Sequence, residues 1–318
     1  MITLNLPFNG KKAQCDCLTA TAYSIISNLG KNYISMFALF WGFQYYSKGG
    51  KPFDECFDRG GLIHTSDYDL CKITGVETQH KINTGSSDIM KSIIENYTDN
   101  GRPIAIQLDA FNCPWNIAYK KVHFNHYILT LGYESGLLLC QDPFCYINKV
   151  ELDQEMQSYI GCDYYTYNIF DKIEMLPEER KTMLQDAARL YITNRTYEAI
   201  SNFANDLTKQ MDYFSNIRLL SPVIMNPFFI KLKSLVSDRL NLLLFLEDIT
   251  AVLPNDFILV VNEFRKIAKY WQDTYLLMVK TMVREIHFNE LISIRQRFIQ
   301  LANDEHHIAT KIINLIIK

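Results

Sequence analysis

The stretch HYILTLGYESGLLLCQDPF, from His126 to Phe144, decides how this chain is read. Residues 127–133 and 137–141 are apolar runs of strand length, and Glu134-Ser135-Gly136 between them has the composition of a hairpin turn. His126 opens the first arm. Asp142 closes the second, directly before Pro143, which cannot donate to a ladder. Pairing Tyr133 with Leu137 sets His126 opposite Phe144 and makes Asp142 its diagonal neighbour on the same face, close enough for an imidazole and a carboxylate to meet. A slip of one residue would turn the two to opposite faces.

A sheet is expected around this hairpin, with further strands at PIAIQLD (103–109) and 164–170. Helices come first. Residues 18–29 carry apolar side chains at helical spacing and stop at Gly30, and a second apolar helix is expected over 34–41, ending at Gly42. A third starts from Ser86 or Ser87, carries Ile89, Met90, Ile93 and Ile94 on one face, and ends before Gly101.

The motif QCDC (14–17) stands ahead of the first helix. A thiol on a helix N-terminus meets unpaired backbone N–H groups and the positive end of the dipole, both of which favour thiolate. Cys17 is therefore the candidate nucleophile, with His126 as base and Asp142 as the group that orients it. Cys15 is the rival nucleophile, because helix boundaries read from sequence shift by a few residues.

After Pro177, with Glu178 and Glu179, nearly everything reads as helix. Ile200, Phe203, Leu207, Met211 and Phe214 recur at intervals of three and four, as do Phe257, Val261, Phe264, Ile267, Trp271, Tyr275 and Met278, and these stripes are expected to form inter-helix core. The expected class is α+β: a catalytic domain over 1–175 of helices plus antiparallel sheet, followed by an all-α domain over 176–318.

Composition narrows the function. Of 318 residues, 48% are hydrophobic and 21% charged, as in a globular protein, and the formal net charge of −3 offers no general attraction to nucleic acid or to an anionic membrane surface. No apolar run approaches the roughly 20 residues of a spanning helix, and residues 1–8 lack the features of a secretory signal, so a cytoplasmic location is expected. The eight cysteines (15, 17, 56, 71, 113, 140, 145 and 162) all lie in the first 162 residues and are read as free thiols. Gly49-Gly50 and Gly60-Gly61 lack the companions of a phosphate loop, so no nucleotide is implied.

The run DCLTATAYSIISNLG (16–30), followed much later by the His-led hairpin, resembles the papain-like superfamily, in which a helix-opening Cys precedes a sheet carrying His and then Asp or Asn. Closer still, the chain resembles the butirosin biosynthesis H-like family, through SMFALFWGFQYY (35–46), PIAIQLDAFNCPW (103–115), the order Cys, His, Asp with its Asp-Pro ending, and a helical C-terminal half. The resemblance implies a papain-like fold and acyl transfer. An aminoacyl or peptidyl group on a carrier-protein phosphopantetheine arm would move through Cys17 to an amine. A similar role belongs to the thiotemplated transglutaminase of polythioamide (closthioamide) biosynthesis, where the acceptor is a diamine. The implied partners are an acyl or peptidyl carrier protein and a small amine, with no further cofactor and no metal.

One position departs from the papain-like pattern: Lys11 stands six residues before the nucleophile, where an oxyanion-stabilising Gln is usual, and Gln14 stands three before it. The backbone N–H of Cys17 can serve the oxyanion, with Gln14 as the candidate second donor. Two other classes use the same residues. A cysteine peptidase or isopeptidase needs the same triad; a metal-binding or structural module would use Cys15 and Cys17 with Cys140, Cys145 or the pair His306-His307. Aromatic groups such as Phe43, Tyr45, Tyr46, Tyr164 and Tyr165 are candidates to line an apolar tunnel that keeps water from the acyl group.

Overall fold

The computed structural model describes residues 16–47, 52–59, 73–170, 175–220, 223, 226–284 and 288–316. In chain order the elements are α1 (Cys17–Asn28), a 3₁₀ helix (Ile34–Phe40), β1 (Gln44–Tyr45), β2 (Phe57–Asp58), β3 (Val76–Ile82), α2 (Ser87–Asp99), β4 (Ile104–Asp109), β5 (Asn125–Glu134), β6 (Leu137–Asp142), β7 (Ile147–Leu152), α3 (Gln154–Gln157) and β8 (Ile160–Ile169). Helices follow: α4 (Pro177–Thr193), α5 (Thr196–Leu207), α6 (Met211–Leu220), α7 (Pro227–Ile249), α8 (Phe257–Val283) and α9 (Phe288–Ile316). The class is α+β, with helices and antiparallel sheets.

The chain divides into two units, Met1–Tyr33 with Asp69–Glu174, and Ile34–Tyr68 with Met175–Lys318. The cut after Glu174 falls where the expected domain boundary does. The segment 34–68 differs: rather than extending the sheet-bearing unit, it groups with the helices. Its apolar residues explain this. Phe43, Phe53 and Phe57 form one aromatic cluster with Phe203 and Phe228, and Trp41 packs on Tyr191 and Phe264. Phe43 and Tyr45 are thus part of the helical unit's packing rather than a tunnel lining, and the second expected helix is 3₁₀ instead of α.

In the first unit an antiparallel sheet runs β3-β8-β4-β5-β6-β7. One of its faces buries Ile104, Ile106, Leu108, Ile128, Leu138 and Cys140 with Met90 and Ile94 of α2. Strands β4, β5, β6 and β8 follow the expected runs, and α2 starts after Ser86 and ends before Gly101, which has a φ of +69°. The sequence reading omitted β3 and β7. β3 (VETQHKI) is largely polar, and β7 (INKVEL) is a short edge strand, so neither carries an apolar run.

The hairpin register differs from expectation twice, and the two differences offset each other. The turn is the two-residue Ser135-Gly136, both with positive φ, so Glu134 rather than Tyr133 pairs with Leu137. That alone would put Asp142 on the wrong face. An irregularity between Thr130 and Gly132 adds Leu131 to β5, after which Thr130 pairs with Cys140 and Leu129 with Gln141. Beyond the bulge the alternation is the expected one, and His126 and Asp142 lie on one face.

In the second unit, α4 begins at Pro177, with Leu176 N–H donating to Glu179 Oε2 at 2.6 Å. The aromatic and aliphatic stripes are inter-helix core: Ile200, Phe203, Leu207, Phe257, Phe264, Trp271 and Met278 are all fully buried. No helix among the described residues is long and apolar enough to cross a membrane.

Candidate active site

Cys17 is the first residue of α1. Asp16 caps that helix, its Oδ1 accepting from Thr19 N–H at 2.7 Å, which leaves the first-turn N–H groups around Cys17 without intrahelical acceptors. Cys17 is partly exposed, and its Sγ lies 4.0 Å from the carbonyl oxygen of Asn125, the residue before His126. The helix and β5 thus bring the thiol to the histidine across more than a hundred residues of chain.

His126 and Asp142 are both fully buried, and His126 Nε2 donates to Asp142 Oδ2 at 2.6 Å. Asp142 is further held by two donors. Trp115 Nε1–H donates to the same Oδ2 at 2.7 Å, and the Cys145 N–H donates to Oδ1 at 3.0 Å. Burial works to raise the Asp142 carboxyl. The His126 hydrogen bond and charge, with the Cys145 and Trp115 donors, outweigh it and hold the group below the usual carboxylate range.

Burial also works against a charged His126. Hydrogen bonding to Asp142, the proximity of the Cys145 and Cys17 sulfurs and the Asp142 charge overcome it, and the ring is pushed up to about 12. The pair is therefore ionic at neutral pH, with both ring nitrogens carrying protons. Nε2–H has its acceptor in Asp142. Nδ1 is buried with no hydrogen-bond partner, so its proton needs an acceptor, and two sulfurs, Cys17 and Cys145, stand near enough to influence the ring.

The two sulfurs differ in setting. Cys145 follows Asp142 in a tight turn, and burial and the Asp142 charge, against the pull of His126, push its thiol up. Its Sγ also accepts a weak hydrogen bond from Asn116 Nδ2 at 3.8 Å. Cys17 stands instead at a helix start. Near it are Tyr127 and Tyr165, whose rings meet edge to face at 5.3 Å and whose hydroxyls feel the Cys17 sulfur. Tyr164 belongs to the sheet core.

Among the expected site residues, Cys17, His126 and Asp142 come together. Gln14 and Cys15, the candidate oxyanion donor and rival nucleophile, lie outside the described residues. Of the residues weighed for a metal module, Cys140 is fully buried in the sheet core, and His306 packs at a tilt against Tyr197 in the helical unit with centroids 4.2 Å apart. Ligand-capable atoms of His126, Asp142 and Cys145 do lie within 4.8 Å of one another, but Asp142 already accepts three hydrogen bonds there. The described cysteines are free thiols.

Sequence reasoning missed Trp115 and Cys145 as parts of the site. Cys145 had a legible signal, since an Asp followed by Pro is a turn in which the carboxylate caps the N–H three residues on. Trp115 had none, because its bond to Asp142 spans 27 residues between a loop and a strand end. A comparison of the chain with protein-family models and with curated proteins returns no match.

Proposed function

We propose that this chain is a papain-like, cysteine-dependent acyltransferase that moves an aminoacyl or peptidyl group from a carrier-protein thioester, through Cys17, onto an amine. The observation that carries this reading is the buried, ionic His126–Asp142 pair whose second ring nitrogen has no hydrogen-bond partner beside a helix-opening thiol. A structural histidine buried at comparable cost would have both nitrogens satisfied.

In this mechanism the Cys17 thiolate, its proton held on His126 Nδ1, attacks the thioester carbonyl. First-turn N–H groups of α1 face the developing oxyanion. As the carrier thiol leaves, His126 returns the proton to it, and an acyl-enzyme remains. An amine then attacks, His126 takes a proton from its nitrogen, and the carbon–sulfur bond breaks to give the amide. Asp142 holds the ring and balances its charge throughout. Exchange of one thioester for another is nearly isoenergetic, and amide formation drives the sequence forward without a nucleotide.

The test is intact-mass analysis after mixing the protein with acylated carrier proteins, using wild type, Cys17→Ala, Cys145→Ala and Cys15→Ala. An acyl adduct present in all but Cys17→Ala is the expected outcome. An adduct that persists in Cys17→Ala refutes the assignment of the nucleophile. Cleavage of peptides with no adduct from thioesters would instead make the chain a peptidase.

A further inference from the structure

An alkylammonium acceptor has two protons to lose before its nitrogen becomes that of an amide, and the site described so far accounts for one. His126 returns one proton to the departing carrier thiol and regains one from the attacking nitrogen. It has no capacity for the other.

A cleft of about 250 Å³ is lined by Gln107, Asp109, His123, Asn125, Tyr159 and Gly161, among others. Asn125 ties it to the thiol, because that residue's carbonyl oxygen is the one 4.0 Å from Cys17 Sγ. The cleft holds a second His–Asp pair: His123 Nδ1–H donates to Asp109 Oδ2 at 2.6 Å, while Asp109 Oδ1 accepts from the Phe111 N–H at 3.0 Å. Unlike the buried pair, this one is open, with the His123 side chain 70% and the Asp109 side chain 34% exposed. His123 is stacked on Phe111 with ring centroids 4.1 Å apart and interplanar angle 14°, which fixes its plane. Burial works to raise the Asp109 carboxyl, but the His123 hydrogen bond and backbone N–H donors hold it low, so it meets the cleft as an anion. The nearby cation, Lys120, lies over the Phe111 ring 4.8 Å from its centroid.

Resting on the acyltransferase reading, we propose that this cleft receives the acceptor as an alkylammonium ion and that the Asp109–His123 pair takes its first proton. The anion of Asp109 attracts the cation. His123, its Nδ1–H engaged with Asp109, accepts the proton on Nε2, and the carboxylate holds the resulting imidazolium. The freed lone pair forms the carbon–nitrogen bond at the acyl group on Cys17. His126 takes the second proton as the carbon–sulfur bond breaks, leaving Cys17 thiolate beside protonated His126, the state in which the cycle began. His123 then releases its proton to solvent. Protons and electrons balance with no other reactant.

The experiment uses the N-acetylcysteamine thioester of acetate as donor and compares two acceptors at neutral pH: propylamine, which is a cation there, and methoxyamine, which is neutral. In His123→Gln and Asp109→Asn the acyl-enzyme forms on Cys17 as in wild type, discharge by propylamine falls about 100-fold, and discharge by methoxyamine changes by less than about threefold. Equal loss with both acceptors, or loss with neither, overturns the proposal. A second arm does not use the thiol: propylammonium chloride is titrated into Cys17→Ala while the His123 ring is followed by NMR. A saturable shift that disappears in Asp109→Asn supports the cleft, and a shift that is unsaturable or indifferent to Asp109 overturns it. If wild type forms no acyl-enzyme, the acyltransferase reading fails, while the titration still decides whether the cleft binds alkylammonium ions.

Discussion

Among the described residues, two ion pairs have both side chains fully buried, one in each unit, and they are finished differently. In the helical unit, Arg239 Nε and Nη2 donate to the two oxygens of Glu305 at 2.9 and 3.2 Å, and Nη1 donates to the Gly42 carbonyl at 2.8 Å. Glu305 also accepts from Trp41 Nε1 at 3.2 Å and Trp271 Nε1 at 2.6 Å, and the guanidinium lies 4.8 Å from the centroid of the Trp271 ring. The charges are enclosed by matched partners from several elements. The pair His126–Asp142 is as deeply buried, and its carboxylate is as well supplied, but Nδ1 of its imidazole has no hydrogen-bond partner. A buried charge with every partner in place holds a fold together; one that lacks a single partner next to a thiol is prepared to exchange a proton.

The sharpest way to break this comparison is Asp142→Asn. The amide keeps the shape but removes the charge that holds the ring in its orientation and protonation state, and turnover should fall about 10⁴-fold, roughly 5 kcal/mol on the barrier. Steady-state kinetics on the acyl donor measures it. A loss below about tenfold would mean the carboxylate is structural and the pairs are alike.

Glu305→Ala should do the converse, costing about 3–5 kcal/mol of stability because the Arg239 charge is left buried without its partner. Urea unfolding reads the loss. The double variant Arg239→Met with Glu305→Leu should be milder, since no buried charge is then left without its partner.

Smaller still is Trp115→Phe, which deletes one donor to Asp142 Oδ2 and should lower stability by about 2 kcal/mol, the worth of a hydrogen bond to a charged group. Its diagnostic reading is kinetic: a lower kcat with unchanged KM marks a residue that positions the triad.

The pairs should also differ in their response to pH, most clearly in Cys17→Ala, where the neighbouring sulfur is removed. The raised His126 contributes stability that is complete below the ordinary histidine value of about 6.5 and is lost as pH rises towards its folded value of about 12. The lowered Asp142 contributes stability present above the ordinary carboxylate value and lost as pH falls through its folded one. Between pH 7 and 10 the unfolding free energy should therefore fall by up to about 1.4 kcal/mol per pH unit. The slope should flatten in a variant that also carries Asp142→Asn. Arg239 adds nothing to it, because arginine stays charged across that window.

Much of the proposed catalytic pattern was legible in local sequence. The helix-opening position of Cys17, the hairpin with His126 at one end and Asp142 at the other, and the core stripes of the helical half all follow from residue spacing, because helix and strand periodicities are local properties. The parts that were not legible depend on residues distant in sequence. Leu131 enters β5 as an extra residue; Gly132 beside it is a bulge signal that does not by itself fix the register, and without that bulge the two-residue turn would send Asp142 to the opposite face.

By itself the sequence determined which groups were available: one thiol at a helix start, a histidine and an aspartate on the arms of a hairpin, and apolar stripes sufficient to bury a helical unit. Only the tertiary structure decided how those groups are finished. It brought Trp115 and the Cys145 N–H onto Asp142, left Nδ1 of His126 without a partner, and enclosed Arg239 and Glu305 between two tryptophans. The reason is physical: periodicity fixes the direction in which a side chain points, whereas the proton affinity of a buried group depends on every donor and charge that packing brings within a few ångströms.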